Sequence, residues 1–209
     1  MPRLTLSISL AFILWTLMFS PQLAFINKNI SFWWMMTAAG LTLSTLAFAF
    51  HGKQLKQSLS RFRLTHVLAG ILIAAVIWGV FFVGDKLSSL MFSFARPQVD
   101  SIYGLKASDP HWLISILLLC IIGPAEEIFW RGYIQDTLSQ RHSPNKGFWL
   151  TLLLYTAVHI PSLNFMLIMA AMVCGLIWGA LYRFYPNHFP AIILSHAIWD
   201  AAVFVWFPL

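Results

Sequence analysis

The chain has little charge. Only 10% of its 209 residues are Asp, Glu, Lys or Arg, against about 25% in ordinary soluble domains. Hydrophobic residues make up 59%, and the mean hydropathy is +0.77. A soluble domain of this size has too little interior to hide that much apolar surface, so the composition places the chain in a bilayer. Acidic residues are the scarcer sign, seven against 13 Lys and Arg, for a net charge of +6. In a soluble protein that balance would point to nucleic acid. Here the basic residues lie mostly in short loops between apolar runs, as in membrane proteins with positively charged cytoplasmic loops, and no nucleic-acid partner is expected. Cysteine is nearly absent. Cys120 and Cys174 each lie inside an apolar run, which excludes a disulfide framework and offers no metal-ligand spacing. Both are expected as small buried core residues. Also missing are a Walker loop, a dinucleotide-binding glycine fingerprint and a zinc-protease HExxH motif. No internal repeat and no low-complexity linker is apparent.

What the sequence does have is long apolar runs. A helix crossing a bilayer needs about 20 mostly apolar residues. Such runs fall near 4–25, 31–50, 66–84, 112–134, 148–160, 165–184 and 189–207, the fifth of them short. Residues 86–95 either extend the third run or lie along the interface. The expected fold is all-α: a polytopic transmembrane bundle of about seven spans, give or take one. It is expected to form a single integral-membrane domain over 1–209, with N-terminal spans in 1–95 and a C-terminal core in 111–207. The first run follows Arg3 as a signal peptide would, but no small-x-small cleavage site follows it, so it is read as a span. With the N-terminus inside, inner segments carry Arg3, Lys53, Lys56, Arg61, Arg63, Arg141, Lys146 and Arg183, and outer ones Lys28, Lys86, Arg96 and Lys106. The excess supports a cytoplasmic N-terminus, and the short loops suit a bacterial inner membrane. Gly175-x-x-x-Gly179 permits close helix packing.

Charge inside hydrocarbon is expensive, at about +2.5 to +3.5 kcal/mol per residue on insertion scales, and is usually functional. Three acids meet that description: Glu126, Glu127 and Asp200. Asp85, Asp100, Asp109 and Asp136 fall in expected loops or helix ends, where solvated charge is the default. In Gly123-Pro124-Ala125-Glu126-Glu127-Ile128-Phe129-Trp130-Arg131, proline should kink or restart the helix. Glu127 and Arg131 are then i and i+4, the favourable order for an ion pair. Glu126 points about 100° away from Glu127, with no local cation, and is suited to taking and returning a proton. Tyr155-x-x-x-His159 and His196-x-x-x-Asp200 each put an imidazole on a helix face, and Asp200 is placed to fix the tautomer of His196. Counted from inner span ends at ~1.5 Å per residue, His159 lies roughly 16 Å deep, His196 about 10 Å and Glu126 about 12–18 Å. One shared water-accessible chamber between the C-terminal helices would require such depths. His51, His66, His111, His142 and His188 sit at expected span ends or loops and are given no role.

In this order the three segments resemble the CPBP family, the CAAX proteases and bacteriocin-processing enzymes of the Abi group, whose pattern is EExxxR, then FxxxH, then HxxxN or HxxxD. The resemblance covers about residues 112–205. It implies an intramembrane glutamic endopeptidase that cleaves a membrane-associated or lipid-modified protein or peptide. Glu126 would activate the hydrolytic water with help from His159, and Glu127 and Arg131 would support it. His196 and the residue four further on would stabilise the oxyanion. Tyr155 replaces the usual Phe and adds a hydroxyl. Asp200 replaces Asn, and because a carboxylate donates only when protonated, orienting His196 is its safer role.

Two other readings stand beside this one. Two histidines and a glutamate are also a zinc ligand set, but such sites usually place both imidazoles on one helix, so water activated by glutamate without a cofactor is preferred. Intramembrane acids and histidines also build proton-coupled transporters. Those usually show paired repeats and matching interrupted helices, whereas Gly123-Pro124 has no counterpart. A catalytically silent membrane protein would not need the motif residues intact.

Overall fold

The computed structural model describes residues 2–23 and 30–209, and every regular element among them is helical. The helices are α1 (Pro2–Phe19), α2 (Phe32–Leu59), α3 (Thr65–Met91), α4 (Ala95–Tyr103), α5 (His111–Arg141), α6 (Pro144–Ala157), α7 (Phe165–Phe184) and α8 (Pro186–Trp206). Six of the described helices, all but α4 and α6, are long and apolar enough to cross a membrane. Lys28, one of the outer charges in the topology tally, lies outside the described residues.

The shortfall from about seven spans is the run at 148–160. Helix α6 has 14 residues and rises about 21 Å, short of the roughly 30 Å of hydrocarbon. Its length is set by local chemistry at both ends. Ser143 caps the start, accepting from the Lys146 amide with Pro144 in the first turn. At the other end Ile160–Ser162 tightens into a 3-10 turn containing Pro161, and Leu163 is left-handed with φ 52°.

Two expectations about polar positions are corrected. Helix α3 continues to Met91, so Asp85 is buried inside it rather than solvated at its end. Its Oδ1 lies 3.6 Å from Arg96 Nη1 on α4. Cys120 is exposed rather than buried, because its face of α5 turns outward, while Cys174 is buried as expected. The polar connection after α3 forms the amphipathic α4. It is held to the start of α7 by Asn164 Nδ2 donating to the Gln98 carbonyl and the Met166 amide donating to Gln98 Oε1.

Helix α7 packs on α6 through Gly175 and Gly179. A Cβ at Gly175 would lie 2.8 Å from Leu152 Cδ1, and one at Gly179 would lie 3.0 Å from the Phe148 ring. Small residues matter here because lipid is as apolar as Leu, so close backbone approach drives association.

Candidate active site

Pro124 was expected to kink or restart its helix. Instead α5 continues and widens. Leu118–Ile122 and Trp130–Gln135 are π-helical on either side of the α-helical Gly123–Phe129. Pro124 has no N–H to return to the preceding turn and its ring needs room, which a wider turn supplies. Glu126 and Glu127 therefore sit between two relaxed stretches of one helix. Gly123 lets α8 close on this segment, since a Cβ there would lie 2.6 Å from Ala197 Cα. That approach brings His196, the chain neighbour of Ala197, against Glu127.

Glu127 is fully buried, and its Oε1 accepts from Arg131 Nη1 and from His196 Nδ1, both at 2.8 Å. The i, i+4 ion pair read from spacing is present, and His196 joins it from 69 residues away. A carboxylate only accepts, so Nδ1 of His196 carries a hydrogen. The other ring nitrogen, Nε2, lies 3.4 Å from Asp200 Oδ2. Glu127 thus makes the short orienting contact with His196, and Asp200 attends the opposite nitrogen. The imidazole also stacks on Trp178, with ring centroids 3.8 Å apart and planes 17° from parallel. The Arg131 guanidinium lies 4.6 Å from the Tyr155 ring and 5.8 Å from the Trp178 ring. Aromatic faces on both sides partly replace the water this cation has lost.

Glu126 faces elsewhere, as the helical offset requires. Its Oε2 accepts from the Tyr155 hydroxyl at 3.0 Å. Tyr155 also anchors His159, because its carbonyl lies 2.7 Å from His159 Nδ1. Nε2 of His159 accepts from Trp15 Nε1 on α1 at 3.3 Å. Glu126, Tyr155, His159, His196 and Asp200 all line one cavity of about 410 Å³ whose remaining wall is largely apolar. Glu127 and Arg131 stand behind that wall, not on it. The sequence drew attention to Glu126, Glu127, Arg131, His159, His196 and Asp200, and the fold brings all six together. It did not draw attention to Trp15 or Trp178, which carry no signal apart from aromaticity in a chain full of it.

The zinc ligand set does not fit the side chains as placed. Among the described residues no three His, Cys, Asp or Glu side chains are grouped to hold a metal ion. Both ring nitrogens of His159 face protein partners, and so do both of His196. A second pair, with a buried histidine and a half-buried acid, lies outside the cavity: His51 Nε2 is 2.7 Å from Asp136 Oδ2. His51 sits at a non-helical kink within α2, with φ −138°. Asp136, expected as a solvated charge, is thereby tied into the bundle and also accepts from Gln140 Nε2.

Residues 108–202 match a family model described as type II CAAX prenyl endopeptidase Rce1-like. No curated protein and no solved structure matches the chain. The matched stretch is just under half of the sequence, begins ahead of α5 and ends within α8, and contains all six side chains singled out above. With six helices long and apolar enough to cross a membrane the chain reads as an integral-membrane protein, and its residues 108–202 are similar to the Rce1-like type II CAAX prenyl endopeptidases, a family of membrane peptide hydrolases.

Proposed function

We propose that the chain hydrolyses a peptide bond in a membrane-associated or lipid-modified protein, using water activated by Glu126. The observation that carries this reading is that Glu126, His159, His196 and Asp200 line one cavity whose remaining wall is largely apolar. Tyr155 holds Oε2 of Glu126, which leaves Oε1 to take a proton from water. The hydroxide oxygen bonds to the scissile carbonyl carbon and the carbonyl oxygen becomes an oxyanion. Collapse breaks the C–N bond, and Glu126 returns its proton to the departing amine.

The pair of His196 and Asp200 supplies the hydrogen bond to the oxyanion. Of the two, His196 donates from Nε2 as the imidazolium and Asp200 donates as the protonated acid, and Glu127 with Arg131 keeps the imidazole aimed. Buried donors aimed at a developing charge are worth far more than the same donors in water. No metal takes part in this reading, and a cytoplasmic N-terminus agrees with the loop charges.

The test uses the full chain reconstituted in liposomes with a lipidated peptide reporter. Glu126→Gln keeps shape and should lower cleavage by roughly 10²–10⁴-fold. Full activity of that variant would remove the reading. Activity should also survive a strong zinc chelator; inactivation on chelation with recovery on added zinc would replace glutamate-activated water by a metal-bound one.

A further inference from the structure

The family match starts at residue 108, yet one contact with the candidate catalytic histidine comes from far outside it. His159 lies just past the end of α6, and only one of its ring nitrogens is held by the backbone of that helix. Its orientation depends on its two nitrogens. A backbone carbonyl only accepts, so the 2.7 Å contact with the Tyr155 carbonyl requires a hydrogen on Nδ1. An indole N–H only donates, so the 3.3 Å contact with Trp15 requires a lone pair on Nε2. Both partners demand the same neutral tautomer, one from each side of the ring.

Helix α1 is shaped for this contact. Trp15 is 1% exposed and packs edge-on against Trp130, with centroids 6.3 Å apart. One turn later Phe19 reaches the same imidazole, at 5.7 Å between centroids. Residues i and i+4 of α1 therefore bracket His159, and the indole is itself locked by the helix that carries Glu126 and Glu127. Moving Trp15 would leave the ring held by a hydrogen bond at Nδ1 alone.

We propose that Trp15 is a positioning residue of the active site, fixing the tautomer and aim of His159, so that the working site is completed by α1 outside residues 108–202. The proposal rests on the role given to His159 in the reading above. It makes α1 part of the machinery and not only a neighbour in the bundle.

The experiment replaces Trp15 in the full chain by benzothienylalanine, which keeps the ring shape and puts sulfur in place of the N–H. Misplacement of a catalytic group costs up to about 10²-fold. Because this replacement removes a single hydrogen bond, kcat should fall about tenfold, with KM within about twofold and the thermal unfolding midpoint unchanged. In protein labelled with 15N-histidine, the Nε2 signal of His159 should shift as its donor disappears. The same replacement at Trp78, whose N–H bonds the Phe207 carbonyl at 2.9 Å away from the site, should change neither readout. Trp15→Phe should follow the analogue.

Unchanged kcat and an unmoved His159 signal would overturn the proposal. So would a loss of activity matched by a fall in the unfolding midpoint, which marks a merely structural role. Glu126→Gln separates the two ideas. If it is inactive while the Trp15 analogue is fully active, only the role of Trp15 falls. If it is active, the glutamate mechanism itself falls, whatever position 15 shows.

Discussion

Helices α3 and α8 pack against each other and are opposite kinds of membrane helix. The most apolar window of α3 is 17% buried, whereas that of α8 is 72% buried. Helix α3 turns Leu68, Val76 and Leu90 outward, and α8 turns Ser195, His196 and Asp200 inward. In a soluble protein the more apolar helix would be the core one. In lipid the order reverses, because hydrocarbon accepts bare apolar side chains while polar groups must find partners inside the protein. Where the chemistry sits is therefore marked by lower hydropathy and higher burial together.

The contrast can be broken from the buried side first. Arg131→Met leaves the Glu127 carboxylate buried without its cation, and should cost about 3–5 kcal/mol of unfolding free energy, read by denaturant titration in detergent. A variant as stable as the parent would mean that the pair is solvated. Gly123→Val comes next. Its branched side chain meets the α8 backbone where even a Cβ lies 2.6 Å from Ala197 Cα. Overpacking of this kind costs about 1–3 kcal/mol. Activity should fall with it, because the crossing sets the Glu127 to His196 contact. Tyr155→Phe is milder, removing one hydrogen bond to Glu126 worth about 1 kcal/mol, so kcat should drop about fivefold with little change in fold. Smallest of all is Val76→Ala on the lipid face of α3, where stability should stay within about 0.5 kcal/mol. A large drop there would show that the face is covered by protein and would weaken the comparison itself.

Glu126 and Glu127 repeat the contrast at the scale of one helix turn. Adjacent in sequence, they face different neighbours: Glu127 meets Arg131 and His196 away from the surface, and Glu126 meets Tyr155 at a cavity wall. The i, i+4 pairing and the angular separation were legible, because both follow from the helical repeat alone. Long apolar runs gave the helices for the same reason of scale, since about 20 residues are needed to cross hydrocarbon. The exception was α6, whose apolar run is cut short by Ser143-Pro144 at one end and Pro161 at the other. Asp85 was misread because a helix end placed by hydropathy alone stops at the first charge, while the helix itself stops only at Met91. The widened turns around Pro124 were illegible too, since a proline in a helix leaves kink, break and bulge all open.

By itself the sequence determined that this is a membrane-embedded helical protein and which side chains carry intramembrane polarity. Composition, run length and helical repeat are local properties, and each was enough for its own conclusion. Only the tertiary structure decided that Glu127 reaches His196, that the Tyr155 hydroxyl reaches Glu126, and that Trp15 reaches His159 across 144 residues of chain. Those contacts depend on how closely separate helices approach and how they are turned about their axes. Such geometry is fixed by packing around Gly123 and its neighbours, not by any pattern within one segment.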